Sequence, residues 1–382
     1  MTIGILSFTS KVERHEPTIR EWTPHQQTTL TFHLFMKPRE RFQAVMNFQP
    51  FDQLPLVEWA SWWDKTINRW HREGLPASLT DRYDLYDHFG LDVYYQDWIA
   101  PQRPGCPSPS HHGAPLIASM DDYETLLPYL FPSVEELKDT WERWEMWSKR
   151  QRGNEAVLWI TLEGFFWFPR KLLGIEPHLY AFYDNPELMH RINTDLAKWH
   201  LQIIRKICSI APPDFMTFAE DLSYNKGPMI SEEMFEEFLT PYYHQVIPEL
   251  KEHGVIPLVD SDGDVTKPAP WFEAAGIEGI LPLERQAGVD INILRENHPK
   301  MKFIGHFDKM TMNRGEKAIR AEFERLLPTA RKGGFLISVD HQTPPGISYQ
   351  DYQLYLSLFR EYAKKISKIG NTPEHISDTS ET

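Results

Sequence analysis

Short apolar runs recur along the chain, and nearly every one ends in a carboxylate. LPLVEW reaches Glu58, VLWITLEG reaches Glu163, and FMTFAED carries Glu220 and Asp221. VIPLVDSDGD brings Asp260, Asp262 and Asp264, and GIEGILPLE ends at Glu284. MKFIGHFD adds His306 and Asp308, and GFLISVDH adds Asp340 and His341. Between these runs the apolar positions take a helical spacing. Strands alternating with helices predict βαβ units and a parallel sheet. The spacing predicts eight strands, with seven or nine fitting nearly as well, at 54–59, about 89–94, 157–162, 215–220, 255–260, 279–283, 302–305 and 334–339. Helices are expected over 64–73, over 120–152 with a break near 131–133, and over 349–366. A long amphipathic helix is expected from an N-cap at Ser231 to a stop at Gly254. The implied fold class is α/β, a single (β/α)8 TIM barrel with an N-terminal extension. In such a barrel the C-terminal strand ends converge on one face, where active sites sit.

Residues 1–35 keep no steady period and lack the features of a secretory signal, so they read as a mobile extension. Met36 opens the cleaner pattern and is the expected natural start, with the barrel over 36–367 and a polar tail over 368–382. The Pro-, Ser- and His-rich stretch PQRPGCPSPSHHGAP reads as an exposed connection. The net charge of −14, from 54 acids against 40 bases, disfavours nucleic acid and anionic membrane surfaces as partners. No apolar run approaches the roughly 20 residues of a membrane span. Two cysteines, Cys106 and Cys208, support no disulfide framework, and a cytoplasmic compartment is expected. The 13 tryptophans fit a dense core better than a ligand cage, although both readings stay open.

The acids at the strand ends need cations, protons or hydrogen-bond donors to offset their repulsion. Alternation puts Asp260 and Asp262 on one side of the chain, and Gly263 allows a sharp turn. The Asp-x-Asp-Gly-Asp run has no Glu at the closing position of a calcium loop, so that reading fails. A turn capped by acids and a pair that binds a cation or a polar ligand both remain. Asp340–His341, held before Pro344-Pro345-Gly346, can act as a metal site or an acid/base pair. His306 and Asp308 form a similar but weaker pair. EGFFWFPR sets Glu163 among aromatics with Arg170, and Trp59, Trp62 and Trp63 follow Glu58. Aromatic faces beside carboxylates can hold cationic or methylated ligands, and they also pack as an apolar plug.

These strand ends, in this order, resemble the uroporphyrinogen decarboxylase superfamily over about residues 37–367. The resemblance is most specific in ISEEMFEEFLTPYYHQVIPELKEHGVIPLVDSDGD, GIEGILPLE, KFIGHFDK and FLISVDHQTPPG. It implies a single (β/α)8 barrel and one of several activities. The decarboxylase branch carries an Arg-rich stretch after its first strand that binds a polycarboxylate substrate. Here EWASWWDKTINRW stands in that place. The corrinoid-linked methyltransferase branches bind zinc through His-x-Cys, often a Glu, and a last Cys. At those positions this chain has Asp260-x-Asp262, Glu284, and Asp340 or His341. Every soft thiolate is gone, and oxygen and nitrogen donors suit harder or borderline ions, or no metal. Cys106 and Cys208 lie far along the chain and are not expected to replace the missing thiolates.

The resemblance therefore implies an enzyme closer to the methyltransferase branch, with a diverged site. The leading expectation is methyl transfer between a small methylated or cationic substrate and a corrinoid carried by a partner protein. Asp260, Asp262 and His341 would hold the substrate or a divalent metal, zinc or a harder ion. Glu163, Glu220, Asp221 and Glu284 would move protons or hold a cationic group. Glu58, Trp59, Trp62, Tyr224, Lys226, His306, Asp308 and Asp340 are candidate substrate contacts. Two alternatives stand beside it. One is decarboxylase or lyase chemistry on a carboxylated substrate, and the other is a non-catalytic barrel that binds a small ligand.

Overall fold

The structure is a computed structural model and describes residues 35–366. The expected extension and C-terminal tail lie outside the described residues. Among the described residues, seven parallel strands form one curled sheet. They are β1 (Val93–Trp98), β2 (Ala156–Glu163), β3 (Phe215–Ala219), β6 (Ile256–Asp260), β7 (Gly279–Leu281), β8 (Lys302–Phe307) and β9 (Phe335–Val339). They neighbour one another in that order, with helices in the crossovers. Two short strands, β4 (Ser223–Tyr224) and β5 (Gly227–Pro228), form a separate antiparallel hairpin after β3. The fold is the α/β barrel that the alternation predicts.

The first expected strand is not a strand. Residues 54–59 occupy the gap between β9 and β1 without a regular ladder. On one side Asp92 N donates to Leu56 O at 2.8 Å, and the Asp92 carboxylate accepts Leu56 N at 3.0 Å. On the other side Trp59 N donates to Ser338 Oγ at 3.2 Å, and Trp59 Nε1 donates to Val339 O at 2.6 Å. Pro55 has no N–H to give a ladder, and side chains do much of the pairing instead. The second expected strand is displaced towards the C-terminus. Asp81 caps a helix over Arg82–Phe89, so β1 begins only at Val93.

The long helix expected from Ser231 is two helices, Glu232–Phe238 and Thr240–Glu252. Ser231 does cap the first, accepting Met234 N. Pro241 cannot donate to the preceding turn and disfavours continuation through residue 240, so the ladder breaks at Leu239. The helices Asp64–Glu73 and Tyr349–Lys365 fall where the spacing places them.

One contiguous core runs through the fold. β2 is buried along its whole length, as a strand covered on both faces must be. Trp62 packs on Trp70, Tyr86, Phe89 and Tyr352, and Trp70, Trp144 and Trp159 are fully buried. Most of the tryptophan excess is therefore core, and Trp62 belongs to it rather than to a ligand cage. No helix among the described residues is long and apolar enough to cross a membrane.

Candidate functional site at the C-terminal ends of the strands

The register brings the strand ends level. Glu163 on β2 pairs with Ala219 on β3, Ala219 with Asp260 on β6, and Asp260 with Leu281 on β7. The chain leaves β3 through Glu220 and Asp221, whose side chains take opposite sides. Glu220 turns back into the protein, where its oxygens accept Phe165 N and Phe166 N at 2.8 Å, Trp167 N at 3.3 Å, and the Tyr243 hydroxyl. Burial lifts its pKa to about 7. With both oxygens engaged, Glu220 anchors the loop after β2, which corrects the expectation of a proton-transfer role in the pocket. Asp221, at φ 39°, faces the barrel mouth.

A cavity of about 640 Å³ opens above β1, β2, β3 and β6. Glu163, Asp221 and Asp260 line it, together with Trp98, Arg170 and Lys171. Burial raises the pKa of all three acids. For Glu163 the nearby Lys171 works against the shift. Asp221 is pulled back by the Asp262 N–H and by Arg170. Asp260 is pushed well above the usual range, by burial first and then by the charges of Asp221 and Asp262. A carboxyl whose pKa is raised at a cavity wall holds its proton more readily and can donate it or a hydrogen bond.

Residues 101–115, read from composition as an exposed connection, form the outer wall of this cavity. Cys106, His112, Gly113 and Ala114 all line it. The stretch is docked through Ile175 N to Gly113 O at 3.1 Å and through Leu116 N to Leu172 O at 2.7 Å. Gly174 makes the docking possible: a Cβ there would stand 2.7 Å from Gly113 O and 2.9 Å from Pro115 N. Cys106, distant in sequence from the acids, thus shares a cavity with Asp221 and Asp260. Arg103, Trp98, Cys106, His112 and Lys171 were missed by sequence reasoning. Pro, Ser and Gly content tells that a loop is irregular and says nothing of what it folds back onto.

Beside the cavity, Asp262, Glu284 and His341 each present one donor atom, and these atoms all lie within 4.8 Å of one another. Glu284 Oε2 accepts Gly263 N at 2.9 Å. Gly263 has φ 83° and sits against the Tyr224 backbone, a fit that a side chain would prevent. Asp262 N donates to Asp221 Oδ1 at 3.2 Å, which joins the trio to the cavity. Burial and the charges of Asp221 and Glu284 push Asp262 up to about 7. The His341 pKa is lowered, by burial first and then by Lys309. Its ring is therefore neutral near pH 7, and its 3.7 Å approach to Asp262 is not an ion pair there. A neutral imidazole with two carboxylates is a donor set that fits a borderline or hard divalent ion, and the absent thiolates do not fit a soft one. The metal set expected from the sequence was Asp260, Asp262 and His341; the geometry puts Glu284 in the place of Asp260.

Several expected contacts lie elsewhere. Glu58 is buried beside the final helix, taking hydrogen bonds from Ser338 Oγ and the Tyr352 hydroxyl, both at 3.3 Å. Trp59 packs edge-on to His341, with ring centroids 6.3 Å apart, and supports the trio from outside the cavity. His306 is a strut: Nδ1 bonds Leu283 O at 2.8 Å, Nε2 meets Ile291 N and Arg325, and burial lowers its pKa to about 4. Asp308 caps the turn at Met310 and holds Gln286. Asp340 is fully buried, accepting Arg285 N at 3.1 Å and Lys309 Nζ at 3.0 Å. Tyr224 and Lys226 sit on the exposed hairpin and do not line the cavity; Tyr224 O accepts Asp264 N.

No curated protein sequence matches the chain at a significant level. Among solved structures, a methyltransferase from Methanosarcina mazei is 14% identical, with a TM-score of 0.59 over 86% of this chain and 99% of that one. This likeness is one of fold. The pneumococcal virulence factor StrH is 12% identical over 86% of this chain and 89% of that one, with a TM-score of 0.39. The family model for uroporphyrinogen decarboxylase (URO-D) matches residues 87–362, from just before β1 to within the last helix. That span takes in every strand of the sheet and both halves of the acidic mouth, and the chain belongs to the uroporphyrinogen decarboxylase family.

Proposed function

We propose that the protein is an enzyme that transfers a methyl group from a small methylated substrate to a corrinoid carried by a partner protein in the cytoplasm. The observation that carries this reading is the trio Asp262, Glu284 and His341 set beside a cavity whose wall acids have their pKa values raised by burial. Its strand-end positions are those where the methyltransferase branches resembled by the sequence hold their metal. The fold likeness to a methyltransferase agrees with it. A divalent ion held by the trio would supply Lewis-acid polarisation of the heteroatom that carries the methyl group.

The chain's own residues would do the rest. The cavity orients the substrate with its methyl group towards the open mouth. As the bond between methyl carbon and heteroatom breaks, the heteroatom keeps the electron pair and needs a proton. Asp260, which lines the cavity with its pKa pushed well up by burial, would give it. General acid catalysis of this kind is worth about 10²–10⁴-fold in rate.

The test is demethylation of a broad panel of methylated compounds, with cob(I)alamin as acceptor. We expect turnover with at least one donor, lost in Asp262→Asn and reduced about a hundredfold in Asp260→Asn. No turnover across the panel, together with CO2 release from a carboxylate panel, would replace methyl transfer by decarboxylation. Binding without either product would leave a binding barrel.

A further inference from the structure

One cation of the cavity wall has no hydrogen-bond or ion-pair partner for its side chain among the described residues. Lys171 is taken up by Glu163 at 2.6 Å and Gln102 at 3.1 Å. Arg103 is occupied by Glu136 and by the carbonyls of Pro128, Leu130 and Phe131. The Arg170 guanidinium lies over the Trp167 ring, 5.0 Å from its centroid. Among the described residues no side chain or carbonyl accepts a hydrogen bond from it. Asp221 lines the same cavity and exerts an electrostatic pull on Arg170 without closing an ion pair.

We propose that this cavity binds a singly charged carboxylate with a flat apolar body, gripped by Arg170. A partly buried guanidinium with five donors and no acceptor is costly, and an anion in the cavity relieves that cost. Its planar fork matches a carboxylate through two parallel hydrogen bonds. The Trp98 ring, 48% exposed, and the side chains of Leu116 and Ile175 offer apolar surface to the rest of the ligand. Charge decides between anions. Asp221 shares the cavity with Arg170, and Glu163 already takes up Lys171, so a phosphate dianion or a polycarboxylate brings more negative charge than one guanidinium offsets.

The grip also assigns the carboxylate its part. Decarboxylation moves charge off the carboxylate oxygens, so a guanidinium bound to them stabilises the ground state over the transition state. The carboxylate held by Arg170 is therefore an anchor, and the reacting group lies at the other end of the ligand, near Asp221 and Asp260. The inference rests on the methyl-transfer reading only in taking this ligand to be the methyl donor.

The experiment is calorimetric titration of the full chain, without any corrinoid, using benzoate, 4-methoxybenzoate, benzamide and phenyl phosphate. Both carboxylates are expected to bind, with benzamide and phenyl phosphate weaker by about tenfold or more. Arg170→Gln should weaken carboxylate binding about ten- to a hundredfold, with Arg170→Lys in between. Benzamide or phenyl phosphate binding as tightly as benzoate would overturn the proposal. So would unchanged carboxylate affinity in Arg170→Gln, or no binding of either carboxylate. If Arg170→Gln fails to fold, the comparison of wild type with Arg170→Lys and of benzoate with benzamide still decides. Because no corrinoid is present, failure here leaves methyl transfer from other donors standing, and failed methyl transfer leaves carboxylate binding standing.

Discussion

The Asp221 carboxylate accepts the backbone N–H of Asp262 at 3.2 Å, so the loop after β3 sets the position of the loop after β6. Asp221 also lines the cavity, and Asp262 belongs to the trio. One hydrogen bond thus couples the two halves of the mouth.

The trio makes a prediction about metal binding that separates it from the set read from the sequence. Asp262→Asn, Glu284→Gln and His341→Ala should each weaken binding of Zn(II) or Mn(II) about ten- to a hundredfold or more. Asp260→Asn should leave it unchanged. Calorimetric titration with each ion checks this. Loss in Asp260→Asn with none in Glu284→Gln would restore Asp260 as the ligand.

Glu58 predicts a pH dependence of stability. Burial raises its pKa from 4.5 to about 7, against hydrogen bonds from Ser338 and Tyr352 that favour the charged form. The folded protein then binds a proton that the unfolded chain has released between about pH 4.5 and 7, so stability falls as pH rises through that window. Glu58→Gln, which keeps the neutral shape, should flatten the decline by up to roughly 3 kcal/mol. Urea unfolding at pH 5 and pH 8 measures the difference, and an unchanged slope in the variant would show that Glu58 is not the group.

At the opposite end of the barrel, Arg295 is a rivet. Its guanidinium donates to the carbonyls of Pro299, Met301, Gly333 and Gly334 and lies over the rings of Phe48 and Phe303. Burial lowers its pKa to about 10. Arg295→Met should cost roughly 2–4 kcal/mol, because it leaves buried carbonyls without donors. The unfolding midpoint in urea reports it, and the affinity of the trio for metal should not change.

The loop wall depends on Gly174. At φ 82°, with Gly113 O and Pro115 N inside the reach of a Cβ, an alanine must push the 113–115 backbone away. Gly174→Ala should cost about 1–3 kcal/mol and expose residues 101–115 to proteolysis. Limited digestion with mass spectrometry locates the cut, and an uncut loop would mean that the wall adapts.

Glu58, Glu220 and Asp262 show where local reading stops. Each follows an apolar run, and nothing in its neighbours tells them apart. Glu58 faces the final helix, Glu220 ties down the loop after β2, and Asp262 opens to the mouth. The two tyrosines that receive the first two acids, Tyr352 and Tyr243, come from helices 294 and 23 residues away in sequence.

By itself the sequence determined the alternation of strand and helix, the barrel class, and the placing of acids at the strand ends. Those features rest on periodicity, capping and chain length, which act over a few residues. Only the tertiary structure decided that Glu284 rather than Asp260 joins Asp262 and His341, that residues 101–115 wall a cavity, and that Arg170 stands there with no hydrogen-bond acceptor among the described residues. Such pairings depend on register across parallel strands and on loops docking from distant positions. Local propensity carries no information about which group will stand opposite.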